Sequence, residues 1–261
     1  MEVGNFGFVI AGLIVGFIVG MTGVGGGSLM TPILLWFGIN PATAVGTDLL
    51  YAAITKSGGV LVHSKNKNID WTITGWLTLG SVPAVLLTLW FLATLHTDPS
   101  AMNAVIKQAL GVVLLLTALA ILFKKSLLAF AQRHAGDGYH MNPRNLNALT
   151  VVTGAVLGTM VALTSIGAGA LGTVALFILY PFLATRRLVG TEIAHAVPLT
   201  LVAGLGHAGM GNMDWQLLGF LLMGSLPGIY VGSHMTGKVP DGVLRPCLAV
   251  MLMAIGYKLA F

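Results

Sequence analysis

The sequence predicts an all-α polytopic integral membrane protein made of two homologous halves. Three observations predict it: a shortage of charge, apolar blocks of membrane-spanning length, and an internal repeat at nearly constant offset. Of 261 residues, 56% are hydrophobic and only 8% are charged, and the mean hydropathy is +0.90. An ordinary soluble domain is about one quarter charged. So few ionisable groups cannot cover a water-exposed surface.

The segments follow in order. The first, near 6–21, is preceded by Glu2 and by no basic residue, and no small-x-small cleavage site follows it. It is therefore expected to stay in the membrane and not to act as a cleaved signal. The second, near 28–38, is short for a full span and must tilt, sit in thinned bilayer or belong to a broken pair. The third is near 42–62. The fourth, near 72–93, lies in Trp71–Leu95, which has no charged residue. The fifth, near 105–123, has only Lys107 and Gln108 as strongly polar residues. The second half repeats the series near 148–164, 170–182, 189–210, 215–235 and 243–260. A spanning helix needs roughly 20 such residues.

The repeat itself is read from matched types. Asp70-Trp71, Gly75, Gly80, Ser81 and Pro83 recur 144 positions later as Asp214-Trp215, Gly219, Gly224, Ser225 and Pro227. At the same offset Gly46-Thr47-Asp48 matches Gly190-Thr191-Glu192, and His63 matches His207. Thr22, Gly25, Gly27, Leu29 and Thr31 match Thr164, Gly167, Gly169, Leu171 and Thr173 at an offset of 142. The halves are 1–123 and 146–261. Between them, 124–145 holds charges with Gly136, Gly138 and Pro143, and reads as an aqueous linker on the cytoplasmic side.

Charge sets an expected topology. If all five segments cross and the N-terminus is outside, Lys65 and Lys67, the 124–145 group (Lys124, Lys125, Arg133, Arg144), Arg186 and Arg187, and Lys238 all fall inside. An odd number of crossings inverts the second copy, giving 5+5 inverted segments, the arrangement that supports alternating access. The alternative, 4+4, merges segments one and two into one broken span and leaves the repeats parallel. The basic residues lie in short connections, which fits topology and not a nucleic-acid-tracking face. The single cysteine, Cys247, allows no intrachain disulfide.

Two constellations carry candidate chemistry. Thr22-Gly23-Val24-Gly25-Gly26-Gly27-Ser28 and Thr164-Ser165-Ile166-Gly167-Ala168-Gly169 are glycine-rich breaks. Backbone opened in a bilayer must face protein or a water-filled cavity. The N–H groups of a following half-helix suit an anion. The competing reading is close helix packing through small residues. Asp48 and Glu192 are intramembrane carboxylates, expected either to couple protons or to cap the first turn of their helices. Lys56, mid-segment, either forms a salt bridge with Asp48 or attracts an anion. His195 either relays protons or bonds within the bundle. His63 and His207 read as interfacial. Asp70 and Asp214 read as helix caps, and Trp71 and Trp215 as interface anchors. Pro83 and Pro227 are expected to kink their helices. No metal-ligand cluster, nucleophile elbow or Walker motif is found, so no enzyme activity, cofactor or metal is expected.

Gly20-Met21-Thr22-Gly23-Val24-Gly25-Gly26-Gly27 with Pro32, then Gly46-Thr47-Asp48, and their echoes in the second half resemble the sulfite exporter TauE/SafE family of membrane proteins. The resemblance covers essentially the whole chain. It implies movement of small anions (sulfite, sulfonates such as sulfoacetate, or related organic acids) across the cytoplasmic membrane. It also implies about eight crossings, against the ten that charge favours. Ala168 and Ala170 stand where the first half has Gly26 and Ser28, which makes the two half-sites chemically unequal. The joint expectation is a secondary transporter, with an anion channel or a non-transporting scaffold or sensor as alternatives. Its expected partners are the bilayer, a small anion and, as coupling ion, protons. The sequence leaves the oligomeric state open.

Overall fold

In a computed structural model, residues 3–22, 27–95, 98–124, 126–127, 129, 142–234 and 241–260 are described. The helices are α1 Val3–Thr22, α2 Gly27–Trp36, α3 Pro41–Lys65, α4 Trp71–Thr94 and α5 Pro99–Leu122. The second half follows with α6 Pro143–Thr164, α7 Ala170–Leu179, α8 Thr185–Gly209, α9 Trp215–His234 and α10 Asp241–Ala260. These ten elements match the ten apolar segments read from the sequence.

Local chemistry fixes several starts. Asn40 and Asn142 accept the amides of Ala42 and Arg144, with Pro41 and Pro143 at the first helical position. Proline suits that position because its missing N–H would be unpaired there anyway. Asp70 caps α4 by accepting from Thr72 and Ile73, and Asp98 caps α5 by accepting from Ser100 and Ala101. Asp214 accepts the Leu217 amide at 2.9 Å. Trp71 and Trp215 beside these caps are exposed. α4 and α9 continue through Pro83 and Pro227.

Among the described residues, five helices are long and apolar enough to cross a membrane: Trp71–Thr94, Pro99–Leu122, Pro143–Thr164, Thr185–Gly209 and Trp215–Gly232. Burial is inverted relative to a water-soluble protein. Trp36, Trp90, Tyr230 and Phe182 lie outside, while Asp48, Lys56, Glu192 and His195 are buried. This is a multi-pass membrane protein.

α2 and α7 have ten residues each. That is about 15 Å, half of a hydrocarbon core of about 30 Å. Each folds back along the helix before it. Phe37, just past α2, meets Phe8 near the start of α1 with ring centroids 5.3 Å apart. Tyr180, just past α7, shares a 2.7 Å hydrogen bond with Thr150 near the start of α6. Segments one and two therefore form a hairpin and not one continuing broken span.

The halves interlock. The largest helix interfaces pair α1 with α9, α4 with α6, α5 with α10 and α3 with α8. Along α1 and α9, Gly12 faces the Leu221 carbonyl, Gly16 that of Ser225, and Gly224 that of Val9, so the two helices run parallel. The matched seam between α6 and α4 pairs Gly154 with Leu77, Gly158 with Ser81 and Gly80 with Val151. A Cβ at any of these glycines would overlap the facing carbonyl. The α3–α8 pair runs antiparallel: Gly46 lies at His207, Leu50 at Gly204, Gly59 at Ile193 and His63 at Gly190. Its midpoint falls one to two residues before Lys56 on α3.

Each end of that pair carries the same clasp. The Asp214 amide donates to Thr47 Oγ1 at 3.2 Å, and the Asp70 amide donates to Thr191 Oγ1 at 2.9 Å. Gly46 and Gly190 let the carbonyls of Asn212 and Asn68 close in. Only the second clasp has an ion pair, Arg187 to Asp70 at 3.0 Å. Thr43 stands where an equivalent arginine would have to be. Lys67 belongs to that same turn, and Lys124 lies 6.0 Å from the ring centroid of Phe177 near the end of α7, so these basic connections share one end of the bundle. Most of the 124–145 linker lies outside the described residues, as does the side chain of Lys238.

Candidate functional site

The second glycine-rich break forms the tip of the α6–α7 hairpin. Thr164 closes α6, its hydroxyl bonding back to Met160 O at 2.6 Å and receiving the Ile166 amide at 3.1 Å. Ser165 then turns left-handed at φ 59°, and Gly167 follows at φ 121°. Only glycine reaches the second conformation without steric cost. The Gly167 carbonyl gathers the amides of Gly169 and Gly172, both at 2.9 Å. Gly169 opens α7 with no side-chain cap. Of the matching first break, Gly23, Gly25 and Gly26 lie outside the described residues. Thr22 ends α1, and Gly27 and Ser28 open α2.

Lys56 comes to this tip from the other half. Its ammonium donates to the Ala168 carbonyl, and the residue is buried. Ala168 lies in irregular backbone, so its carbonyl is free to accept. The Lys56–Asp48 salt bridge, one of the two expectations for Lys56, is not formed. The single ion pair within 4.0 Å among the described residues is that of Arg187. Two helical turns, about 12 Å of rise, separate Asp48 from Lys56 along α3, whereas the facing loop is within reach.

Asp48 is also not a first-turn cap. α3 begins at Pro41, and Asp48 lies fully buried in its third turn. Glu192 occupies the same place in α8, which begins at Thr185. The segment read from 189 in sequence starts four residues earlier, at Thr185, because Arg186 and Arg187 break the apolar pattern, whereas the start read near 42 already put Asp48 beyond the first turn. Asp48 Oδ2 accepts from Thr31 of α2, at 2.5 Å from the hydroxyl and 3.2 Å from the amide. The Ser165 hydroxyl faces the same carboxyl. Asp48 thus touches the returning helix of one hairpin and the tip of the other. Glu192 and Asp48 are the two charged groups acting on Lys56.

His195 Nε2 lies 2.9 Å from Ser81 Oγ of α4. Tyr51 and Ser225 occupy the matched places in the other half, but there Tyr51 Oη and Ser225 Oγ are both without a hydrogen-bond partner. Four buried polar atoms of this region have no hydrogen-bond partner: Asp48 Oδ1, Ser165 Oγ, Glu192 Oε1 and His195 Nδ1. Buried polar groups are rarely left so, which makes this cluster a candidate ligand or proton site. No three His, Cys, Asp or Glu side chains among the described residues converge as a metal site requires. His207, in the last turn of α8, is fully buried against the close approach of α3 at Gly46 and donates to Ala162 O at 2.9 Å. His63 is partly buried beside Gly190.

The structure therefore joins Lys56, Asp48, Glu192, His195 and Ser165 around one hairpin tip. Sequence reasoning missed Thr31, Ser81 and Ala168. The first two were visible as repeat-matched hydroxyls, but a backbone carbonyl such as that of Ala168 leaves no signal in sequence.

A helical bundle with an apolar exterior, buried charges and a broken hairpin reaching them is the build of a membrane transporter. The chain belongs to the sulfite exporter TauE/SafE family, whose profile matches residues 8–259. Among similar proteins, the probable membrane transporter protein YjnA of Bacillus subtilis (strain 168) is 39% identical over 96% of this chain and 98% of its own. The probable membrane transporter protein YdhB of the same organism is 28% identical over 97% and 99%. A probable membrane transporter protein of Methanocaldococcus jannaschii is 26% identical over 95% and 92%. No solved structure matches the chain.

Proposed function

We propose that this transporter is a secondary carrier of a small anion in the cytoplasmic membrane, working by alternating access and driven by proton movement through Asp48, Glu192 or His195. The observation that carries the reading is the Lys56 ammonium, the one buried cation among the described residues, held at the tip of the opposite half's broken hairpin. A buried ammonium that donates to a carbonyl, with no carboxylate within 4.0 Å, favours an incoming anion. Substrate classes follow the family: sulfite, sulfonates such as sulfoacetate, or related organic acids. The antiparallel α3–α8 pair, with like clasps at its two ends, supports inverted halves. Rocking them would open one end while the other stays clasped. The basic residues at the Arg187 end support an inside assignment for that end.

The test is uptake of radiolabelled sulfite, sulfoacetate and sulfate into proteoliposomes, with and without an imposed pH gradient. Saturable uptake that collapses with the gradient is expected for at least one of them. Flux that rises linearly with concentration would replace the carrier with a channel. Absence of flux from verified folded protein would remove transport of these anions.

A further inference from the structure

Two buried carboxyls act on one buried cation, neither within 4.0 Å of it, and the two are held differently. Asp48 is anchored, its Oδ2 occupied by the hydroxyl and amide of Thr31. Glu192 is buried with Oε1 unpartnered. Its carboxyl lies against Gly172 of α7, where a Cβ would stand 3.2 Å from Oε1. The titratable neighbours of Glu192 are few. Lys56 on α3 is the charged group acting on it. Asp48, also on α3, shares Lys56 with it. His195, one turn along α8, is engaged by Ser81 of α4. From α7, Gly172 stands at the contact.

We infer that Glu192 is the built-in counter-ion that a monovalent anion replaces beside Lys56, taking up one proton as it gives way, so that one monovalent anion moves with one proton. This deepens the anion-carrier reading and rests on it. In the empty site the Glu192 carboxylate supplies the negative charge. In the loaded site Glu192 is a neutral carboxylic acid and the anion supplies that charge instead. The O–H bond made on Glu192 takes its proton from hydronium on the entry side, whose O–H bond breaks to leave water. The Glu192 O–H bond breaks on the far side, and proton and anion leave together. The buried charge is the same in both states, which lets both cross one low-dielectric interior. A divalent anion would leave one negative charge in excess of the single proton that Glu192 takes up.

The probe is labelled sulfite at a pH acid enough to hold it as bisulfite, with labelled methanesulfonate beside it, in proteoliposomes corrected for protein-free leak. For wild type, a tenfold proton gradient should give about tenfold accumulation, and a potassium–valinomycin potential should leave it unaltered. Glu192→Gln should reverse this, losing the response to the pH gradient and gaining one to the potential. Wild-type accumulation that follows the potential overturns the inference without any variant, while leaving anion transport in place. So does full gradient response in Glu192→Gln. Absence of saturable wild-type flux of both probes removes the anion-carrier reading and this inference with it.

Discussion

The ammonium of Lys56 in the first half donates to the carbonyl of Ala168 in the second, at the tip of a hairpin formed by broken helices. This bond joins the two repeats within two residues of the midpoint of the α3–α8 pair. Thr200 replaces lysine in the matched position and bonds back to Ala196 at 2.8 Å. The matched positions of the two halves therefore differ in chemistry at this point.

Lys56→Met keeps the length and apolar stem of the side chain but removes the charge. A hydrogen bond to a charged group is worth about 1.5–3 kcal/mol, so substrate flux should fall about tenfold or more. Thermal stability in detergent should fall as well, because Asp48 and Glu192 lose the cation that acts on them. Uptake and melting measured on the same preparation separate the two effects. Unaltered uptake would exclude Lys56 from the site.

Gly46→Ala and Gly190→Ala would each press a methyl into a carbonyl of the opposite half, that of Asn212 and Asn68 respectively. Overpacking against backbone should cost about 3 kcal/mol, seen as a lower Tm for both. Gly75 and Gly219 are also matched between repeats, but nothing stands within 4 Å of a Cβ there. Alanine at either should be neutral or stabilising by about 1 kcal/mol. Equal losses at all four positions would refute the clasp as the reason for glycine.

The Arg187–Asp70 pair is half exposed on the arginine side, at 48% against 19% for Asp70. A double-mutant cycle of Arg187→Ala with Asp70→Asn should give a coupling of about 0.2–1 kcal/mol, shrinking at high salt. Asp70→Ala should cost more than Asp214→Ala. Both lose a cap of about 1 kcal/mol, but only Asp70 also loses an arginine. A coupling that does not change between low and high salt would contradict a solvent-facing ion pair.

Asp98 sits outside the membrane-spanning helices, and the Ser100 hydroxyl, with the Ala101 and Ser100 amides, holds its carboxyl below the ordinary 3.8. A lowered folded value means its cap is fully present above 3.8 and is lost as pH falls through the lower folded value. Hydrogen exchange at the Ala101 amide should therefore accelerate only in strong acid. Ser100→Ala should move that onset to higher pH. An onset that stays put would assign the shift to the amides alone.

The apolar segments, their number and the repeat were all legible in sequence, because bilayer length and glycine positions are properties of the chain itself. The roles of the repeated residues were not. Gly46-Thr47 and Asp70-Trp71 were visible as two separate matched motifs. Only the fold shows that each docks on its opposite number, Thr47 on Asp214 and Thr191 on Asp70. The same limit applied to Asp48 and Glu192, whose depth depended on helix starts that apolar patterning blurs.

By itself the sequence determined that the protein is an all-helical membrane protein built from two like halves with broken segments. Hydropathy, proline and glycine act locally and need no knowledge of neighbours. Tertiary structure alone decided that α1 crosses over to α9, that α3 and α8 lie antiparallel, and that Lys56 reaches Ala168 and not Asp48. Those outcomes depend on which backbone stretches can approach closely enough to touch, and close approach is a property of two segments together.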